Sequence, residues 1–413
     1  MKRLIYFMVV LALTFTMITC SKSPTEPTQK QVRELTSVEK TLVESDNSFG
    51  LKVFREINND EKDQNVFISP LSISMALGMT LNGANGATKE AMQNTLELTG
   101  LSDQQINENY QSLIDLLVGL DPKVKFQIAN SIWYRNTFVF KESFINLNKQ
   151  YFYARVAGLD FNNPGSVNII NNWVEENTNG KIKKIVDQID PYIVMFLINA
   201  IYFKGVWTYE FDKNQTQDDA FNLPDGSQKT VPMMTQSREF SYYASDQFQA
   251  VDLPYGDGLF SMTIILPDPQ IDLNDFMAMI TTENWNLWTG SFSQANGTLF
   301  FPRFKLEYEK TLNDALKSLG MAIAFEPYQA DFTRMFDKVG DMNLFIDKVK
   351  HKSFVEVNEE GTEAAAVTSV EIGVTSAGPG SPFVMRVDRP FVFAIRENHS
   401  GTILFIGKIV DPS

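Results

Sequence analysis

The stretch Asn358–Phe383, NEEGTEAAAVTSVEIGVTSAGPGSPF, decides how the rest of the chain is read. It is rich in small and turn-forming residues, yet it lies just ahead of what read as the last strands. From Thr362 to Ile372 it sorts by parity. Even positions are Thr362, Ala364, Ala366, Thr368, Val370 and Ile372, all uncharged and either small or β-branched, while Glu363 and Glu371 are odd. Strand side chains alternate between faces, so the segment can bury its even face in a sheet and leave both glutamates in water. Gly361 is a natural pivot. Further on, Gly378, Pro379, Gly380 and Pro382 favour an exposed loop. Composition alone fits a plain linker equally well, with helical propensity in TEAAAV. Loop and strand are both open.

Around this stretch the patterns are more regular. Leu42, Val43, Phe54 and Ile57 recur at helical spacing within Val38–Ile57. In NVFISPLSISMALGMTLNG a short apolar strand leads to Ser69 as N-cap and Pro70 at the first helical position, with a stop near Gly83. SVNIINNWVEENTNG places Ile169, Ile170, Trp173 and Val174 on one helix face and ends at Gly180. IVMFLINAIYF, Ile193–Phe203, is apolar on both parities, which predicts a strand covered on both faces. AVDLPYGDGLFSMTIILP and RPFVFAIRENHSGTILFIGKIV read as hairpins. Helices crowd the first half and strands the second, which predicts an α+β fold with large, mostly antiparallel sheets.

The N-terminus carries Lys2 and Arg3, an apolar run from Leu4 to Ile18, and Cys20, the single cysteine. That run is too short for a permanent membrane span and reads as a signal peptide over residues 1–19. MITC resembles a bacterial lipobox, with Cys20 as the lipid-attachment residue. Thr19 departs from the small residue usual there, and an unmodified cysteine is the alternative. Residues 20–34 read as a tether, and 35–413 as a single domain. The expected location is extracytoplasmic, either lipid-anchored at the cell envelope or secreted. No disulfide can form within the chain.

The formal charge is −14, and −16 once Lys2 and Arg3 are removed, which argues against nucleic acid as a partner. Only His351 and His399 are available as histidines, and no HExxH, GxSxG, GxGxxG or phosphate-binding loop is present. Cys/His metal clusters are excluded by these counts, no cofactor is called for, and an enzyme is not expected. A hydrolase built on His351 stays open as a minor reading.

NEEGTEAAAVTSV resembles the hinge of an inhibitory serpin. NVFISPLSISMALGMTLNGANGATKEAM, INAIYFKGVWTYEF, VDLPYGDGLFSMTIILP and DRPFVFAIRENHSGTILFIGKIVDP resemble further serpin segments in the family's order, across roughly Leu35 to Pro412. The resemblance implies three β-sheets, eight or nine helices and an exposed reactive-centre loop. It implies a suicide-substrate inhibitor: a protease attacks the loop, becomes acylated, and is carried to the far pole as the cut loop inserts into the main sheet. The hinge would be Gly361, Thr362, Glu363, Ala364, Ala365, Ala366 and Val367. Counting from Gly361 puts the scissile bond at Thr375–Ser376, with Val374 as the alternative; counting back from Pro390 gives a cut near Pro379. His351 matches the shutter histidine, Ser69, Ser72 and Asn199 its polar partners, and Trp207 the breach tryptophan where insertion begins. No Lys or Arg lies between Gly361 and Met385. The implied targets are therefore elastase-like or subtilisin-like serine proteases, with papain-like cysteine proteases secondary, met by a monomer. The alternative is a non-inhibitory serpin-fold carrier. No Lys or Arg occurs in Leu101–Leu120, which argues against a glycosaminoglycan cofactor.

Overall fold

Several helix starts follow side-chain oxygens in the sequence. Thr36 forms a reciprocal capping box with Glu39 and opens α1, Ser37–Asp60. Ser69 accepts from the Ser72 amide and opens α2, Pro70–Leu81, directly after β1, Val66–Ile68. The computed structural model describes residues 32–337, 343–362 and 382–412. In chain order α3 (Gly86–Thr95), α4 (Asp103–Leu117), β2 (Val124–Arg135), α5 (Glu142–Tyr151), β3 (Arg155–Leu159), α6 (Gly165–Asn177) and β4 (Met195–Val206) follow. Then come β5 (Gln217–Asn222), β6 (Gln228–Ala244), β7 (Phe248–Tyr255), β8 (Phe260–Pro267), α7 (Leu273–Ala278), α8 (Thr282–Gly290), β9 (Ser293–Pro302), β10 (Phe304–Thr311) and α9 (Asn313–Leu316). The last strands are β11 (Lys350–Asn358), β12 (Gly361–Thr362), β13 (Phe383–Arg386), β14 (Phe391–Glu397) and β15 (Ile403–Ile409).

One sheet runs β10-β11-β12-β4-β2-β3. A second hydrogen-bonded set runs β1-β15-β14-β8-β7-β6-β9-β13, with β5 beside β6. The expected second and third sheets share β6, which pairs β5, β9 and β7 along its length, so their ladders are continuous. Among the described residues only β2·β3 and β9·β13 pair in parallel.

The apolar strand β4 is covered as its pattern predicts. On its front, Ile198 and Ala200 join Trp133 of β2, Ile170, Trp173 and Val174 of α6, and Ile182 and Val186 after it. On its back, α2 packs against it, and the ring of Phe203 meets Tyr255 and Phe260. Ile169 departs from the expected face and is exposed. A helix stripe spans about 100°, and Ile170, Trp173 and Val174 already fill it. The other strand facing this region, β11, alternates regularly: His351, Ser353, Val355 and Val357 point into the core, and the even residues face the side of α6.

Candidate functional site

Strand β12 is two residues long, and its position defines the site. Gly361 pairs with Val206 and Thr362 with Gly205 of β4; on the other side they pair with Asn358 and Val357 of β11. Among the described residues β4 and β11 share no rung with each other. They run parallel, and where Gly361 and Thr362 pair with both, one strand stands between them.

Glycine is required at 361 by contact as well as conformation. Its φ is +152°, and a Cβ there would stand 2.1 Å from the carbonyl oxygen of Gly205 and 2.8 Å from Val206 Cα. Thr362 is buried, its hydroxyl 2.5 Å from the Tyr255 hydroxyl. Burial pushes the Tyr255 phenol well up, so it stays a neutral hydrogen-bonding group. Tyr255 stacks on Trp207 at 4.4 Å, and the Trp207 indole donates to the Asn358 carbonyl at 2.9 Å. The Trp207 and Phe211 amides donate to the carbonyls of Glu360 and Glu359. Glu359 itself is 2% exposed. Its carboxylate accepts from Arg303 Nε at 2.7 Å, from Arg303 Nη2, and from Thr216 Oγ1 at 2.5 Å. Glu360 pairs with Lys213 nearer the surface. A carboxylate so deeply buried is tolerable only with its charge paired and its lone pairs filled.

Further down, the N-terminal turn of α2 holds the two separated strands from behind. The Ser69 amide donates to His351 Nε2 at 3.1 Å, which ties α2 to β11. Ser72 Oγ donates to the Asn199 carbonyl at 3.3 Å, which ties α2 to β4. Ser69 Oγ bridges the two by accepting from the Ser72 amide while donating to the Leu404 carbonyl of β15. Asn199 Nδ2 donates to Asn130 Oδ1 on β2 at 2.7 Å, and its buried Oδ1 has no partner among the described residues. Burial pushes the His351 imidazole down to about 4, so it is neutral and Nε2 is free to accept.

In front, the segment after α6 reaches over the same separation. Lys181 pairs with Glu356 at 3.7 Å and lies over the Phe354 ring at 4.8 Å, and Asp187 pairs with Lys350 at 3.0 Å.

Residues 44–412 match the family model described as Serpin (serine protease inhibitor). The chain is a serpin. It is similar to leukocyte elastase inhibitor A of Mus musculus, 35% identical over 376 residues covering 88% of this chain and 97% of that one. Its fold is similar to that of the thermophilic serpin tengpin in the native state, with TM-score 0.83, 33% identity and coverage of 92% and 96%. It is equally similar in fold to human thyroxine-binding globulin, with TM-score 0.83, 27% identity and coverage of 91% and 100%.

The serpin thus brings Gly361, Thr362 and Trp207 together at one end of the main sheet, and Ser69, Ser72, Asn199 and His351 near its middle. The second group divides into a β11 half and a β4 half, because His351 contacts the backbone of Ser69 and none of the other three side chains. Glu363, Ala364, Ala365, Ala366, Val367, Val374, Thr375, Ser376 and Cys20 lie outside the described residues. The sequence reading missed Glu359, Arg303 and Tyr255. Glu359 stands inside the quoted stretch, but a glutamate in a turn-rich segment carries no sign of burial until the β9–β10 turn delivers Arg303.

Two outcomes follow from this geometry. Gly361→Ala should drive β12 out from between its neighbours, speeding amide hydrogen exchange in 203–207 and 355–358; unchanged protection would contradict the close approach. The folded pKa of His351 lies below its unfolded value, so its contribution is present at pH 7 and lost as pH falls from about 6.5 towards 4. The loss should approach about 3 kcal/mol. In denaturant titrations between pH 7 and 4.5, His351→Gln should show a pH slope shallower by up to one proton.

Proposed function

We propose that this serpin is a suicide-substrate inhibitor of extracytoplasmic serine endopeptidases with elastase-like or subtilisin-like specificity. The carrying observation is that Gly361 and Thr362 pair with both β11 and β4, the first two rungs of a strand between them. Each residue further along an incoming strand meets the residue one step back on each neighbour. Continued in that register, Ala364 and Ala366 would face the core between Val355 and Phe203, then Ser353 and Ile201. Thr368 would arrive between His351 and Asn199, bringing a hydroxyl to the Asn199 oxygen that lacks a partner. Small even-parity residues suit a space already bounded by packed side chains.

The odd face of the same strand would meet charged neighbours. Glu363 would come beside Glu356 and Lys204, and Val367 beside Lys352, under a segment tied down by Lys181 and Asp187. Val367 therefore meets half-covered surface, where its bulk is accommodated by side-chain stems rather than by open water.

Chemistry at the bait sets the targets. Val374, Thr375 and Ala377 are small, and the absence of Lys or Arg between Gly361 and Met385 disfavours a trypsin-like pocket. Papain-like cysteine proteases, which also form acyl-enzymes, are secondary candidates. The apolar N-terminal run and Cys20 support export, with an acyl anchor at the envelope as the form we favour. The likeness to thyroxine-binding globulin keeps a carrier role as the second reading, but charge or bulk on the even hinge face, which would oppose insertion, is absent here.

Mixing the serpin with an elastase-like or subtilisin-like enzyme should give an SDS-stable band at the summed mass, and mass spectrometry of the released fragment should place the cut at Thr375–Ser376. Thr362→Arg should convert inhibitor to substrate, because a cation would have to enter the site now filled by a 3% exposed hydroxyl beside Tyr255. Cleavage with full return of protease activity by the unaltered protein would favour the carrier reading, and trapping by the Arg variant would contradict insertion.

A further inference from the structure

At the end of the main sheet opposite β12, one aromatic residue stands in water on an unusually braced turn. Tyr192 is 92% exposed. Its own amide donates to Asp190 Oδ1 at 2.9 Å. The carbonyls on either side of it are both held by one side chain: Arg135 donates from Nη2 to Pro191 at 2.8 Å and from Nε to Ile193 at 3.2 Å. Arg135 is buried, bonds Asn162 Oδ1 through Nη1, and lies over the Phe161 ring at 5.3 Å. The Arg135 amide also donates to the Val194 carbonyl, carrying the β2–β4 pairing one rung past Met195. A flexible loop would not need a buried guanidinium spent on its backbone. The turn is fixed, and what it presents is the ring.

The position of that ring has meaning in the register that Thr362 begins. Thr362 faces Gly205, and stepping down β4 one residue at a time sets Thr375 level with Tyr192. The distance is about 43 Å at ~3.3 Å per residue. Thr375 was placed as the acylated residue from the hinge count alone, without reference to Tyr192. An enzyme joined there through an ester would be drawn against the end of β4, where Tyr192 stands exposed.

We propose that Tyr192 is a contact surface for the translocated protease, a rigid aromatic stop against which the acyl-enzyme is pressed. This rests on the inhibitory reading above. The stop acts on the enzyme's shape and leaves the ester intact; release requires water to add at the ester carbonyl, leaving the carboxylate on Thr375 and returning the proton to the enzyme's serine oxygen. A ring that disfavours the geometry for that attack lengthens the life of the complex.

The test uses the full chain and an elastase-like protease. SDS-stable complex is first verified for the unaltered serpin, then return of protease activity is followed for Tyr192→Ala, Tyr192→Phe and Tyr328→Ala. Tyr328 is a comparably exposed tyrosine, 95% accessible, outside the turn that Arg135 braces. Tyr192→Ala should release active enzyme about tenfold faster, the scale of losing one aromatic anchor, while Tyr192→Phe and Tyr328→Ala match the parent. Equal release by Tyr192→Ala and the parent, or equal acceleration by Tyr328→Ala, would overturn the proposal while leaving the inhibitory reading intact. Failure of the unaltered serpin to form any complex would remove both.

Discussion

Two parallel strands held one strand's width apart are the constraint on which the rest of this serpin depends. Neighbouring strands sit about 4.8 Å apart, so β4 and β11 could close on each other or admit a strand between them. Among the described residues they do not pair with each other, and each is pinned elsewhere. At the top Gly361 and Thr362 act as a wedge. Behind, the first turn of α2 holds β11 through Ser69 and β4 through Ser72. In front, Lys181 and Asp187 tether β11 to the segment that caps β4. Backbone groups facing such a space must find partners, and an antiparallel strand would supply them on both sides at once.

Continuity of the intact chain bears on such a strand from its other end. Phe383 begins β13, which pairs with β9 in the other sheet. Its ring stacks on Tyr242 at 3.8 Å and fills the space over Gly297, where a Cβ would come within 2.3 Å. A segment fixed at Thr362 in one sheet and at Phe383 in another cannot descend between β4 and β11 without stripping β13 from its place. Cutting between them removes that linkage and leaves the downward path open. On this account the barrier is one of connectivity, and the parity of the hinge decides only whether the released strand fits.

Much of this was legible in the sequence because local chemistry and tertiary role coincide. The Gly361 pivot, the Ser69-Pro70 helix start and the doubly apolar β4 each state a backbone requirement within a few residues. Long-range features were not legible in that way. Nothing in MKRL-to-DPS order announces that Arg303, from the β9–β10 turn, meets Glu359, or that a lone arginine at the end of β2 would brace Pro191 and Ile193. Ile169 misled because an apolar residue beside three others suggests one stripe, whereas helical geometry turns the fourth into water. The merging of two expected sheets also follows from a single long strand, β6, whose continuity only its pairing partners reveal.

The chemistry of the ties differs along the sheet in a way that fits their tasks. At the top, the buried carboxylate of Glu359 is held by Thr216 and by Arg303, whose side chain is 41% exposed, so removing the arginine strands a buried charge although water screens part of the pair's worth. In the middle, His351 is neutral and makes one hydrogen bond to a backbone amide, an interaction with a net value nearer 1 kcal/mol. On the proposed mechanism, opening would therefore begin where partners are exchangeable and stop where they are charged. The hinge end stays in register while the middle yields, which is the order a strand needs if it is to enter from Thr362 downward with every rung aligned. A chain with the charges and the histidine exchanged would open first at the hinge, lose the register set by Gly361, and offer the incoming strand no fixed first rung.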